Sequence, residues 1–261
     1  MRLLPKIANN TLFWESITLI NDINNGDIYH IVSRCEVVVS FSKYTCMENE
    51  TITQMPRIGD MAPDFTATTT TGPLTLSEYN KGSWVVMFSH PADFTPVCTT
   101  EMSGFAKEKE FFAKNNAKLL GLSIDSIHSH IAWVNAVHEK TGVLFEFPII
   151  ADIDMKISKL YGMLQPGESE TAAVRAVFFI DPTGKIRLIM YYPLNVGRNM
   201  AEIKRVLLAL QTSSEHSVAC PLDWEPGDKV IVPAPKTIEA LAERKKSDLE
   251  MVDWYLAKKS L

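Results

Sequence analysis

From Trp84 onward, short unbroken apolar runs alternate with longer stretches whose apolar residues recur at helical spacing. That alternation restricts the chain to an α/β fold, with a central mixed sheet flanked by helices. Trp84-Val-Val-Met-Phe-Ser reads as a buried strand, and residues 98–115 place Met102, Phe105 and Phe112 at helical spacing. Residues 118–124 form the next apolar run, 126–140 a helix, 147–150 a short strand, and 154–161 a helix closed by Gly162. Two β-rich runs, 174–180 and 185–192, are joined by Asp181-Pro-Thr-Gly, which is good hairpin chemistry and predicts an antiparallel edge. Residues 197–211 carry Met200, Ile203, Val206, Leu207 and Leu210, the apolar stripe of an amphipathic helix.

The flanks read differently. Residues 1–54 show no persistent period apart from β-branched residues over 28–41, which predict a weak strand. Met47 and Met55 stand just before the regular text, so the extension has the look of an alternative start site. At the other end, Cys220-Pro-Leu-Asp-Trp-Glu-Pro-Gly and Val232-Pro-Ala-Pro predict an extended arm, followed by a charged helix over 237–259. The expected organisation is an extension of unknown role (1–54), one α/β domain (55–213), and an arm with a helix (214–261) that wraps a partner subunit.

A formal charge of −5, with no Lys/Arg run interleaved with aromatics, argues against nucleic acid as a partner. No apolar run approaches the length of a bilayer crossing, so no membrane is expected either. The four cysteines (Cys35, Cys46, Cys98, Cys220) form no CxxC pair, which fits neither a disulfide scaffold nor a zinc cluster. A reducing, cytoplasmic setting suits them better. His128, His130 and His138 read as solvated helix positions without ligand-spaced company, and neither metal nor cofactor is expected.

The chemistry concentrates in Ser89-His-Pro-Ala-Asp-Phe-Thr-Pro-Val-Cys-Thr-Thr-Glu101. This passage carries Cys98 from a strand through a Pro-restricted loop onto the first turn of a helix. The unpaired N–H groups and positive end of a helix favour a thiolate, the form of sulfur that attacks electrophiles. Thr95 can hydrogen-bond the sulfur or an incoming oxygen, while Pro91 and Pro96 hold the loop in shape and limit water access. Position alone leaves Cys98 equally readable as a small buried hydrophobe. A cysteine hydrolase would need a histidine base, for which His90 is the nearby candidate. A non-catalytic thioredoxin-like module is the third alternative.

The spacing PxxxTxxC closely resembles the active-site signature of peroxiredoxins, and the longer string His90-Pro-Ala-Asp-Phe-Thr-Pro-Val-Cys-Thr-Thr-Glu101 is similar to the subgroup called 1-Cys. The resemblance runs from about residue 57 to 236. It implies a thioredoxin-like fold with a C-terminal dimerisation arm and a thiol peroxidase acting on hydrogen peroxide and organic hydroperoxides. A cysteine sulfenic acid would form at Cys98 and be recycled by thioredoxin or a similar dithiol donor. It further implies substrate contacts from Arg175, Thr95 and Pro91, with Glu101 orienting the arginine and His90 secondary. Arg175 opens a buried strand, where a guanidinium needs an anion to offset its desolvation, and the Cys98 thiolate or Glu101 would serve. Ser217-Val-Ala-Cys-Pro-Leu-Asp-Trp resembles the resolving segment of 2-Cys relatives, which points to Cys220 as a resolving cysteine against an otherwise 1-Cys pattern. A homodimer, and a pentamer of such dimers, are the assemblies the resemblance implies.

Overall fold

The computed structural model describes residues 6–8, 11–21, 28–37 and 55–261. The chain divides into two units, Met1–Ile52 and Thr53–Leu261. In the first, β1 (Lys6–Ala8), β2 (Thr11–Asn21) and β3 (Ile28–Val37) form an antiparallel sheet in the order β1-β2-β3. The sequence reading anticipated only the third of these strands. In β2 (TLFWESITLIN) the polar residues break the period-two alternation, so pairing rather than pattern reveals it.

The second unit opens with a hairpin, β4 (Thr66–Thr69) and β5 (Gly72–Thr75), and a short helix α1 (Leu76–Asn80). Then come β6 (Trp84–Ser89), α2 (Pro96–Lys107), α3 (Lys109–Lys114), β7 (Ala117–Ser123), α4 (Ile127–Thr141), β8 (Ile149–Ala151) and α5 (Lys156–Leu160). The hairpin β9 (Arg175–Ile180) and β10 (Ile186–Tyr192) and the helix α6 (Met200–His216) complete the layers. The seven-stranded sheet runs β10-β9-β6-β7-β8-β4-β5, with β6, β7 and β8 parallel and the remaining pairs antiparallel.

Both faces of this mixed sheet are covered, which is why β6 and β9 are buried at every position and mostly apolar. On one side Trp84, Val86 and Phe88 pack with Met102 and Phe105 of α2, Trp133 of α4 and Leu207 of α6. On the other, Val85 and Met87 pack with Leu120, Ile157, Tyr161 and Phe178. Helix α4 is capped by Ser126, whose hydroxyl accepts from Ser129 N–H, and ends at Gly142 with φ 74°, a conformation glycine adopts freely. As the Asp181-Pro-Thr-Gly turn required, β10 pairs antiparallel with β9 at the sheet edge.

Two expectations are corrected. The helix expected over 98–115 breaks at Glu108 (φ −95°, ψ 10°), so Phe105 and Phe112 sit on separate helices. The helix expected over 237–259 is only α7 (Ile238–Arg244). Beyond it β12 (Glu250–Asp253) and β13 (Leu256–Lys259) form a sheet with β11 (Val230–Val232), in the order β11-β13-β12. The strands β11 and β13 bury Val230 and Ala257 completely, and that tertiary pairing outweighs the helical propensity of the charged residues. Residues 218–230 fold back on the same chain: Trp224, Val218 and Val230 pack with Leu208 and Ala209 of α6, and Cys220 lies against them.

Candidate active site

Strand β6 ends at Ser89 and delivers residues 90–95 to α2. Thr95 is the N-cap of that helix, with extended backbone (φ −106°, ψ 149°), and Pro96 fills the first helical position, where its missing N–H costs nothing. Cys98 therefore lies in the first turn, with no exposed surface. Glu101, three residues on, shares its helix face.

Arg175 is the first residue of β9, the strand paired with β6. Its Nη1 lies 3.3 Å from Cys98 Sγ and 2.7 Å from Glu101 Oε2. Its Nε and Nη2 donate to the Leu194 carbonyl at 2.9 and 2.6 Å, so the planar fork is fixed from both sides. The Ser89 hydroxyl steadies the start of β9 by donating to Val174 O (2.5 Å) and accepting from Ala176 N–H (3.0 Å).

A second buried arginine completes the cluster. Arg198 grips Glu101 with Nε, Nη2 and its backbone N–H at 2.7 to 2.8 Å. Its Nη1 donates to the carbonyls of Ser89 and Ala176, and its guanidinium lies over the rings of Phe88 and Phe105. Sequence reasoning missed it because Val196-Gly-Arg-Asn has no local signature of burial. Burial works against the Glu101 carboxylate, but Arg198 and Arg175 outweigh it and hold Glu101 below its usual range. Two guanidiniums and one carboxylate leave one surplus positive charge beside the sulfur, which a thiolate neutralises.

Of the two roles expected for Thr95, contact with the sulfur or with an incoming oxygen, the geometry leaves the second. Its hydroxyl donates to Ala92 O at 2.9 Å rather than to the sulfur, leaving its oxygen as an acceptor. Pro91 holds the loop between His90 and Ala92, half-buried.

The histidines bring a further correction. His130 is completely buried, not a solvated helix position. Asp93 bridges two rings: Oδ1 lies 2.9 Å from His90 Nε2 and Oδ2 lies 2.8 Å from His130 Nδ1. His130 Nε2 lies 3.1 Å from Ile150 O, so both its ring nitrogens face oxygen atoms. His90 is kept neutral: burial pushes its pKa down, more than Asp93 raises it, and its Nδ1 is buried without a partner. Burial pushes the Asp93 carboxyl up, yet the hydrogen bonds from His130 and His90 bring it down to about 2. These are residue types that metals take, with ligand atoms within 4.8 Å of one another. Each Asp93 oxygen already holds a ring N–H, however, and an ion would have to displace both protons.

Cys220 is not drawn into this cluster. It belongs to the separate apolar group on α6, its thiol 3.5 Å from Ala209 O, and burial pushes that thiol up. A groove of about 720 Å³ runs beside the Cys98 loop between α2 and α4, lined by Phe94, Thr95, Pro96, Thr99, Trp133 and Val137. Among the described residues, no helix is long and apolar enough to cross a membrane.

Comparison with known proteins agrees with this geometry. The model of the AhpC/TSA family matches residues 58–189, and that of the C-terminal domain of 1-Cys peroxiredoxin matches residues 209–247. A peroxiredoxin 2 of Caldanaerobacter subterraneus subsp. tengcongensis is 51% identical over 222 residues, covering 82% of this chain and 100% of the relative. A peroxiredoxin of Methanosarcina mazei is 50% identical over 214 residues, 78% of this chain and 98% of its own. Among solved structures, a yeast mitochondrial 1-Cys peroxiredoxin, described for thiol resolving via glutathione/thioredoxin systems, superposes with a TM-score of 0.71 at 41% identity. That match covers 79% of this chain and 100% of the other. A reduced 2-Cys peroxiredoxin of Plasmodium vivax gives 0.63 at 28% identity, covering 74% of this chain and 100% of the other.

Proposed function

The chain belongs to the AhpC/TSA family and is a thiol-dependent peroxidase with the peroxiredoxin fold, and from that premise we propose that Cys98 is its peroxidatic residue and Arg175 its principal activator. The observation that carries the assignment is the 3.3 Å contact between Arg175 Nη1 and Cys98 Sγ, sealed from water and braced by Glu101. The thiolate attacks one oxygen of a hydroperoxide, forming an S–O bond as the O–O bond breaks. The sulfur is oxidised by two electrons to a sulfenic acid, and the leaving oxygen takes up a proton and departs as water or an alcohol. Arg175 stabilises the charge developing on the peroxide oxygens, and Thr95 accepts a hydrogen bond from the peroxide O–H and so aligns it. The Pro91 loop closes the site, and the apolar groove beside it suits organic hydroperoxides as well as hydrogen peroxide.

Recycling falls to thioredoxin or a similar dithiol. The likeness to the yeast enzyme supports this donor, and the free thiols of Cys98 and Cys220 fit a reducing, cytoplasmic setting. Residues 55–213 would form the catalytic domain and 214–261 the arm of a homodimer, five of which would close a ring; Leu222, Ile238 and Val252, more than 70% exposed, are the arm's unpartnered apolar groups. In such a dimer Cys220 would serve as the resolving cysteine of the partner's Cys98. A peroxidase assay with thioredoxin as donor tests the whole reading. Turnover should vanish in Cys98→Ser, and the peroxide-dependent dimer band on non-reducing gels should vanish in Cys220→Ser. Turnover surviving the first substitution would overturn the assignment, and a dimer band surviving the second would remove Cys220 from the cycle.

A further inference from the structure

The loop that carries Cys98 is held at one residue from three directions. The Asp93 carboxylate bridges His90, at the end of β6, and His130, inside α4, while the Asp93 N–H donates to Asp125 Oδ2 at 3.0 Å. Asp125 is itself anchored by the Ser123 hydroxyl at 2.6 Å, and His130 continues the chain of bonds to the Ile150 carbonyl on β8. The loop is thus tied to β6, α4 and β8 through the Asp93 carboxylate and to the end of β7 through its backbone N–H.

The next residue is in a conformation that bulky side chains avoid. Phe94 has φ 55°, in the left-handed region, and the residue is 59% exposed, so burial of its side chain does not account for the strain. Immediately after it come Thr95, the helix N-cap, and Cys98 in the first turn. A strained residue persists only when its surroundings overdetermine it, and the surroundings here are the three anchors on Asp93.

The reaction needs this loop in two states. Attack on peroxide requires Cys98 sealed against Arg175, where it has no exposed surface. Reduction of the sulfenic acid requires a second thiol to approach along the S–O axis, which a wholly buried sulfur does not allow. Resting on the peroxidase reading, we propose that Asp93 is a positioning residue. By bridging His90 and His130 it holds the Phe94 kink closed, and so sets the balance between a sealed, peroxide-reactive Cys98 and an open, reductant-accessible one. Phe94 is the opposing element, a spring whose relaxation opens the first turn of α2.

Two substitutions push the balance in opposite directions. Asp93→Asn keeps the shape but presents an amide where one ring N–H needs an acceptor, and so releases the loop. Phe94→Asn, at an exposed site, places a residue that tolerates the left-handed region and so relieves the spring. The first readout makes no use of peroxide: the rate of Cys98 alkylation by a bulky maleimide, at alkaline pH, in the reduced Cys220→Ser protein. Asp93→Asn should accelerate it roughly 10- to 100-fold, the factor corresponding to loss of one charge-assisted hydrogen bond. Phe94→Asn should slow it several-fold. The second readout is the hydrogen peroxide concentration that drives half of Cys98 to sulfinic acid during turnover, which should rise in Asp93→Asn and fall in Phe94→Asn. Equal alkylation rates in all three proteins, or shifts of the same sign in both variants, would overturn the latch. Loss of Cys98-dependent peroxide turnover in the wild type, with the alkylation ranking intact, would overturn only the peroxidase reading.

Discussion

Replacing Arg175 by Lys would keep a positive charge but discard the fork that lets one side chain hold the sulfur, Glu101 and the Leu194 carbonyl together. Stopped-flow measurement of Cys98 oxidation should show a rate constant lower by roughly 10²- to 10³-fold, the scale of losing one preorganised donor. Glu101→Gln would leave Arg175 and Arg198 without their shared carboxylate, and denaturant unfolding should show a loss of about 3–5 kcal/mol. His90 sets a pH dependence. Its folded pKa is pushed below the ordinary 6.5, mainly by burial, so the unfolded chain takes up a proton that the folded chain refuses. Stability should therefore fall as pH drops through 6.5, and His90→Gln should flatten the decline in Tm between about pH 7 and pH 5. Cys98 and Thr95 were legible because they share one short string with chemical logic, whereas Arg175 and Glu101 were singled out by the family resemblance, with the need of a buried guanidinium for an anion in support. Arg198 and His130 were not: their neighbours in sequence give no sign of burial, and only the third dimension supplies Glu101 to one and Asp93 to the other.

At the level of elements, α2 carries both the chemistry and the packing, since Cys98 and Glu101 sit one turn from Met102 and Phe105. Phe105 stacks on Phe88 with ring centroids 3.7 Å apart, so Phe105→Ala should cost about 3–5 kcal/mol in unfolding free energy. It should also lower peroxide reactivity, because Phe105 and Phe88 support the Arg198 guanidinium. Apolar runs and helical periods marked the main strands and helices of the second unit from β6 to α6, because burial on both sheet faces writes itself into local composition. The C-terminal segment escaped that reasoning. Its residues after Arg244 are charged enough to read as a helix, while what fixes them is pairing with β11, which lies far back in the chain. Ala257→Asp would place a charge at a position with no exposed surface, and limited proteolysis should then cut between α7 and the C-terminus while the catalytic domain survives.

Across the second unit, the fold joins what the sequence separates. Strand β6 lies between β7 and β9, so the strand that ends at Ser89 and the strand that begins at Arg175 become neighbours although 85 residues part Ser89 from the Val174 carbonyl it holds. No local pattern states that order; it follows from closing two apolar faces around one sheet. The same enclosure bears on which oxidants the enzyme would recognise if Thr95 is the substrate contact proposed above. Thr95 has one proton and the Ala92 carbonyl already has it, so a molecule entering the site must bring a hydroxyl of its own to be gripped there. Tert-butyl hydroperoxide meets that condition and di-tert-butyl peroxide does not, and a turnover assay with each should show consumption of the first alone. With Thr95 in that role, the enzyme would select for the O–H beside the O–O bond and would leave dialkyl peroxides untouched in a mixture that it otherwise clears.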